Sequence, residues 1–264
     1  MKRIALVFLA VVVLDGRVGY AAPPDGEKVM DQLSKVLRQM QDVTADVEVH
    51  TQQRQASGNI VLGYVKAPAK APGQDERTVR KYIVVTRVKT RQGLATIKKL
   101  NDGEYLWTEV KIAATGQVTV SRRKVQGEGP VPGGFGPDWR REIDVWREKF
   151  TFRTLRTDTF DKEPVAVVEG TRKETGEDND AKQHPEMSLP DRMILFVSTR
   201  DHFPRKVELY SSKQQTPQGE RKQTLTVSVR LMRVKLNEGL KPDTFDYKVP
   251  PGAEVHELPA GDAR

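Results

Sequence analysis

From Ala45 to Lys124 the chain alternates between apolar and polar residues in short runs, and the links between the runs carry no helical pattern; the longest, at 66–76, is rich in Pro, Ala, Gly and Lys. A period of two places alternate side chains on opposite faces, which is the pattern of a half-buried strand. Short links force neighbouring strands to be antiparallel, because a parallel pair needs a connection of about a dozen residues or more. The runs are Ala45–Gln53, Ile60–Val65, Thr78–Thr90, Leu94–Leu100, Glu104–Ala113 and Gln117–Lys124. Turns are expected at Ser57-Gly58-Asn59, Gln92-Gly93, Asn101-Asp102-Gly103 and Gly116. Further strands are expected at Phe150–Thr157, Glu163–Lys173, Arg192–Thr199, Arg205–Ser211 and Lys222–Leu236. A closing strand is expected at Phe245–Val249, where Phe245, Tyr247 and Val249 alternate with Asp246 and Lys248 before Pro250-Pro251-Gly252.

A twisted antiparallel sheet of this many strands does not stay flat; such a sheet curls into a barrel or half-barrel. The expected fold is therefore mainly β: a curved antiparallel sheet forming an incomplete, half-open β-barrel. Its concave face must be filled by its own side chains, by helices or by a ligand.

Two helices are available to fill it. Asp25–Thr44 repeats Val29, Met30, Leu33, Val36, Leu37, Met40 and Val43 at helical spacing, with Asp25 as N-cap. Asp138–Phe150 follows a Gly/Pro-rich stretch at 126–137 and carries Trp139, Ile143, Trp146 and Phe150 on one stripe. A flexible approach and an aromatic stripe suit a lid. The same stripe also suits a permanent core.

The first residues read as a targeting segment. Lys2 and Arg3 precede an apolar run from Ile4 to Leu14, and Gly19-Tyr20-Ala21 supplies small residues for cleavage. A run of that length is short of the ~20 residues that a membrane-spanning helix needs. The expected division is a signal peptide at 1–21 and a single domain at 22–264, placed in the periplasm or secreted. The chain has no cysteine, so neither disulfides nor lipidation of a cysteine is expected.

Chemistry-bearing patterns are missing. His50, His184, His202 and His256 are scattered and lack metal-ligand spacing. The glycines at 127–136 precede no parallel βαβ unit, so they make no dinucleotide fingerprint. Glu177-Asp178-Asn179-Asp180 lacks the spacing of a calcium loop. No catalytic residue, metal site or cofactor is expected. The net charge of +8 is spread among acids along the strands and forms no block for nucleic acid.

Several stretches carry a resemblance. They are the first helix leading to a Val-rich strand with Thr51-Gln52, then Asn101-Asp102-Gly103-Glu104-Tyr105-Leu106-Trp107, and then Ile194-Leu195-Phe196-Val197. Phe203-Pro204-Arg205-Lys206-Val207-Glu208 and the closing Phe245…Pro250-Pro251-Gly252-Ala253-Glu254-Val255 complete the set. In this order they resemble the LolA-type periplasmic lipoprotein-carrier superfamily. The resemblance implies an incomplete β-barrel with helices as a lid over a hydrophobic cavity that buries the acyl chains of lipoproteins. It also implies an arginine on an inner strand that holds the lid, for which Arg54, Arg80 and Arg87 are candidates. The chain departs from the carriers by longer loops at 66–76, 126–137 and 174–190.

The expected ligand is thus lipid or the acyl chains of lipoproteins. The expected inward residues are Tyr82, Val84, Val88, Tyr105 and Trp107 on the first strands and Phe245 and Tyr247 on the last, with Trp139, Ile143, Trp146 and Phe150 on the lid. The alternative is a non-catalytic envelope sensor or interaction module on the same fold, with an envelope membrane protein as its partner.

Overall fold

The computed structural model describes residues 24–67, 77–91, 93–125, 139–173, 189–212 and 223–259. The apolar leader at 1–21, the stretch at 126–137 and most of the loops at 66–76 and 174–190 lie outside these residues.

One sheet of twelve strands makes up most of the described chain. In chain order the elements are α1 (Gly26–Gln39), β1 (Asp42–Thr51), β2 (Gln55–Ala67), β3 (Arg77–Thr90), β4 (Gly93–Asn101), β5 (Tyr105–Ile112), β6 (Val118–Lys124), α2 (Trp139–Lys149), β7 (Phe150–Phe160), β8 (Glu163–Arg172), β9 (Arg192–Ser198), β10 (Pro204–Ser212), β11 (Gln223–Leu236) and β12 (Val255–Glu257). Their order across the sheet is β12-β6-β5-β4-β3-β2-β1-β11-β10-β9-β8-β7. Two meanders, β1–β6 and β7–β11, are therefore joined where β1 pairs with β11. The sheet is curved and does not close, since β12 and β7 stand at opposite ends of this order. The chain leaves β6 near one edge and enters β7 at the other, with α2 between them.

Period-two burial gives the sheet two distinct faces. On the concave face Val43 of β1 lies opposite Leu62 of β2, and Leu62 lies opposite Tyr82 of β3. All three are at most 2% exposed. Helix α1 buries Val29, Met30, Leu33 and Leu37 in the same core and packs against α2, β7 and β8. Gly26 allows this approach, because a Cβ there would come within 2.6 Å of the Arg153 backbone. Asp25 caps α1 by accepting from the Glu27 amide at 3.1 Å. Glu27 in turn accepts from the Phe152 amide at 2.9 Å, covering one donor on the edge strand β7. Among the described residues no helix is long and apolar enough to cross a membrane.

Three expectations are corrected. The first helix ends at Gln39 and not at Thr44; Met40 is extended (φ −61°, ψ 126°). Asn237 Oδ1 accepts from the Gln41 amide at 2.7 Å and from the Asp42 amide at 3.4 Å, so these residues turn towards β11. Val43, which fits the helical stripe, is a strand residue buried on the concave face.

Ser57-Gly58-Asn59 is not a turn but lies within β2, near its start. The chain reverses earlier, at 52–54, where Thr51 Oγ1 accepts from the Gln53 and Arg54 amides at 3.3 and 3.0 Å. Gly58 is a site of close approach. A Cβ there would stand 1.7 Å from the carbonyl oxygen of Val85 on β3.

The segment Phe245–Val249 is not a strand either. The chain enters it through turns, with the Thr244 amide donating to the Lys241 carbonyl and the Asp246 amide to the Asp243 carbonyl (3.0 and 3.1 Å). Phe245 is 3% exposed and rests against Gly63. The last strand is β12, further along, and it pairs with β6 in parallel. A parallel addition at the edge follows from the long return over the outer face, which no hairpin could make.

Candidate functional site

The concave face and the helices over it form the largest apolar assembly among the described residues. Strand residues such as Ala45, Ile60, Leu62, Tyr82, Leu106, Leu195 and Leu231 meet α1 and α2 there. The aromatic stripe of α2 points into this assembly as its spacing predicts. Trp139, Ile143 and Phe150 are 6%, 0% and 1% exposed, and Trp146 is half-buried against the same core. Trp139 meets Phe203 edge-on, with ring centroids 5.1 Å apart. Tyr82 and Val84 of β3 join from the sheet side.

Helix α2 is tied to α1 mostly by charge. Arg140 Nε donates to the Leu37 carbonyl at 3.0 Å and Arg140 Nη2 donates to the Met40 carbonyl. These are carbonyls at the C-terminal end of α1, which lack helical partners and carry its partial negative charge. The same guanidinium lies 3.5 Å from the centroid of the Tyr64 ring on β2. Arg38 pairs with Asp144 at 2.7 Å, and Arg147 pairs with Asp31. Both of these pairs are exposed. Because residue numbers run oppositely in these contacts, the two helices are antiparallel. At the far end of α2, Lys173 Nζ donates to the carbonyls of Arg147 and Glu148 at 3.2 and 3.0 Å. Helical periodicity alone sets Arg140 off the aromatic stripe, yet it is half-buried beside Trp139.

The remaining expected residues are not brought together with these. Tyr105, Trp107 and Tyr247 lie on the opposite, convex face in a smaller cluster with Leu100 and Val120. There Trp107 and Tyr247 stack with centroids 4.6 Å apart, Trp107 Nε1 donates to Asp102 Oδ2 at 2.8 Å, and Tyr247 Oη donates to Glu109 Oε2 at 2.9 Å. Burial and that carboxylate push the Tyr247 hydroxyl well above its usual range. Leu106, between Tyr105 and Trp107, is the residue of β5 that reaches the concave core. Phe245 packs on Gly63, whose neighbours Leu62 and Tyr64 face the other way. Val88 is half-buried and belongs to none of the clusters.

Of the three arginines set out from the resemblance, Arg80 is the buried one, at 7% exposed. It lies opposite Tyr64 on the concave face. Arg54 and Arg87 are exposed. Near Arg80, burial pushes the Tyr82 hydroxyl above its usual range, against the pull of Arg80 and Arg123. Burial, together with the adjacent Arg123 charge, holds the Lys99 ammonium below its usual value. Among the described residues no group of three or more His, Cys, Asp or Glu is placed to hold a metal ion.

No family model matches this chain. No curated protein matches it either. Solved structures do. The lipoprotein LppX of Mycobacterium tuberculosis matches at 10% identity and a TM-score of 0.44, over 81% of this chain and 96% of that one. A LolA superfamily protein from Nitrosomonas europaea matches at 14% identity and a TM-score of 0.28, over 85% of this chain and 98% of that one. MucB of Pseudomonas aeruginosa, in its complex with MucA, matches at 8% identity and a TM-score of 0.40, over 84% of this chain but 60% of that one. Each of these likenesses is one of overall fold.

Proposed function

We propose that this protein is a non-enzymatic carrier that holds lipid, or the acyl chains of lipoproteins, between its concave face and helix α2, which acts as a lid. The observation that carries this is the α2 seat. Its inner side is an apolar stripe on an apolar sheet, and its outer ties to α1 include exposed ion pairs that water can replace. Exposed pairs contribute about 0–1 kcal/mol each. Burying the stripe contributes on the order of 1.5–3 kcal/mol per large side chain, or about 4.5–9 kcal/mol for Trp139, Ile143 and Trp146 of α2 together. An acyl chain gains about 0.8 kcal/mol per buried CH2, so ~14 methylenes offer about 11 kcal/mol. The two sums are of similar size, so a lipid can displace the stripe without a large net cost. A leader of the form seen at residues 1–21 would place this activity in the periplasm or outside the cell.

Native mass spectrometry of the purified protein, with lipid extraction alongside, tests the proposal. Added mass matching lipid or acyl chains is expected. A bare protein after exposure to envelope lipids, which also binds no fluorescent fatty acid, overturns it and turns attention to protein partners.

A further inference from the structure

The last part of β7 leaves one edge of the sheet bare. At its start that edge is covered: Glu27 of α1 accepts from the Phe152 amide at 2.9 Å, and Gly26 lies against the Arg153 backbone. From Leu155 to Thr159 every residue is exposed. The Pro164 carbonyl of β8 accepts from the Thr199 amide at 3.0 Å, so that position faces β9 and not β7. Thr159 stands opposite Pro164, and Thr157 stands opposite Ala166 in the same phase. In an antiparallel ladder such positions turn their own amides and carbonyls outward, away from β8. Arg156 and Asp158 alternate with them and carry their side chains on the convex face, where Phe160 packs.

Charges usually deter pairing at an edge, because like charges meet. Here they select one register for a second copy of β7 laid antiparallel on the first. A two-fold axis at Arg156 would set Arg156 against its copy, and one at Asp158 would set Asp158 against its copy. Both place like charges opposite one another, which is unfavourable. An axis at Thr157 sets Arg156 of each chain against Asp158 of the other and Thr157 against itself, and these are favourable cross-strand pairs. The same axis matches outward backbone groups with outward backbone groups. Within one chain Arg156 Nε already bonds Asp158 Oδ2 at 3.0 Å, with both side chains exposed, so the two copies complete an alternating ring of four charges at little cost. The Thr159 amide, which donates to Asp158 Oδ1 at 2.8 Å, passes to the Leu155 carbonyl of the second copy.

We propose that residues 155–159 of β7 are a self-association edge, through which two copies of the chain join antiparallel about Thr157 and continue one sheet into the other. One patch paired with itself across a two-fold axis is the commonest form of association. This inference does not depend on lipid binding.

The test is sedimentation velocity of the purified protein over a concentration series. A bulge between Thr154 and Arg156 bends the strand and confines pairing to about five residues a chain, so the dimer is weak. Single chains are expected at ~1 µM and dimers at ~1 mM. Asp158→Arg, which sets arginine against arginine, is expected to stay single throughout. The exchange Arg156→Asp/Asp158→Arg restores the opposition and is expected to restore the dimer. The chain has no cysteine, so an introduced one reports the register. Facing residues of a hydrogen-bonded pair stand ~5.5 Å apart at Cα, within disulfide reach. Thr157→Cys is expected to give a disulfide-linked dimer on mild oxidation. Leu155→Cys, displaced from its own copy by ~14 Å along the ladder, is not. A protein that stays single through the series, a dimer that Asp158→Arg leaves intact, or an exchange variant that stays single overturns the proposal. So does cross-linking through Leu155→Cys in preference to Thr157→Cys.

Discussion

Arg140→Ala should loosen α2 from α1 without unfolding the sheet. The arginine donates to the Leu37 carbonyl at 3.0 Å and to the Met40 carbonyl, and it covers the Tyr64 ring at 3.5 Å. A hydrogen bond from a charged donor contributes roughly 1.5–3 kcal/mol when buried, and a cation over an aromatic ring about 0.5–2 kcal/mol. The guanidinium is part-buried, and water can take over some of what is lost. A net cost of about 2–4 kcal/mol is therefore expected. The assay is native-state hydrogen exchange. Amides of α2 and of the last turn of α1 should exchange about 30- to 1,000-fold faster in the variant, while those of β1, β9 and β11 keep their protection. Arg140→Lys keeps the charge but loses the fork, so it should fall between the two. Loss of protection spread evenly over helices and sheet would refute a local tie, and a change below about threefold would refute the magnitude.

Other consequences follow from the same geometry. Gly58→Ala should abolish a soluble fold, because its Cβ would stand 1.7 Å from the Val85 carbonyl oxygen; a variant that expresses and melts like the parent contradicts the strand placement. The two faces of β3–β5 can be told apart by Tyr82→Ala and Trp107→Ala. Only the first should weaken fatty-acid binding, and each should lower stability by about 3–5 kcal/mol in urea titration, so equal binding losses would contradict the face assignment. Glu169 sits between Arg192 and Arg153, both at 2.5 Å. Burial, its largest influence, works to raise the carboxyl, but the two arginines overcome it and hold it below the usual value. Its stabilising contribution is therefore present above the unfolded value of about 4.3 and is lost as pH falls through the lower folded value. The stability gap between the parent and Glu169→Gln should shrink on acidification through that window, and a gap that widened there would contradict this sign.

The meander of β1–β6 is legible in the sequence because one face of each strand is core and the other is wetter, so burial writes itself into the period. Legibility fails where two periods fit the same residues. Val43 continues the stripe of α1 and also begins the alternation of β1; the bonds that the Gln41 and Asp42 amides donate to Asn237, nearly 200 residues away, decide between them. It fails again on β5, where both faces carry apolar residues. The larger Tyr105 and Trp107 suggest the main core, yet the smaller Leu106 reaches it. Phe245 and Tyr247 alternate as a strand would, but their rings are anchors that pin a return segment to the convex side, one on Gly63 and one on Trp107. The place of Arg140 depends on where α1 ends, and no local pattern carries that.

The two ends of α2 are not held alike, and this sets how it can move. At its C-terminal end the Lys173 amide donates to the Lys149 carbonyl at 2.9 Å, the Lys173 ammonium bonds two more carbonyls, and Phe150 is 1% exposed at the start of β7. That end is continuous with the sheet, so displacing it means unpairing an edge strand. At the N-terminal end the described ties are the Arg140 fork and the burial of Trp139 against Phe203, neither of which involves sheet pairing. On the proposed lid role, opening of α2 is expected to pivot about residues 147–150 and to free Trp139 first, uncovering Tyr64. Amides at 141–144 should exchange before those at 148–151, and ligand should shift the first group more than the second. Exchange in the opposite order would mean that the helix peels from β7, and Arg140 would then be a structural cap with no part in admitting a lipid.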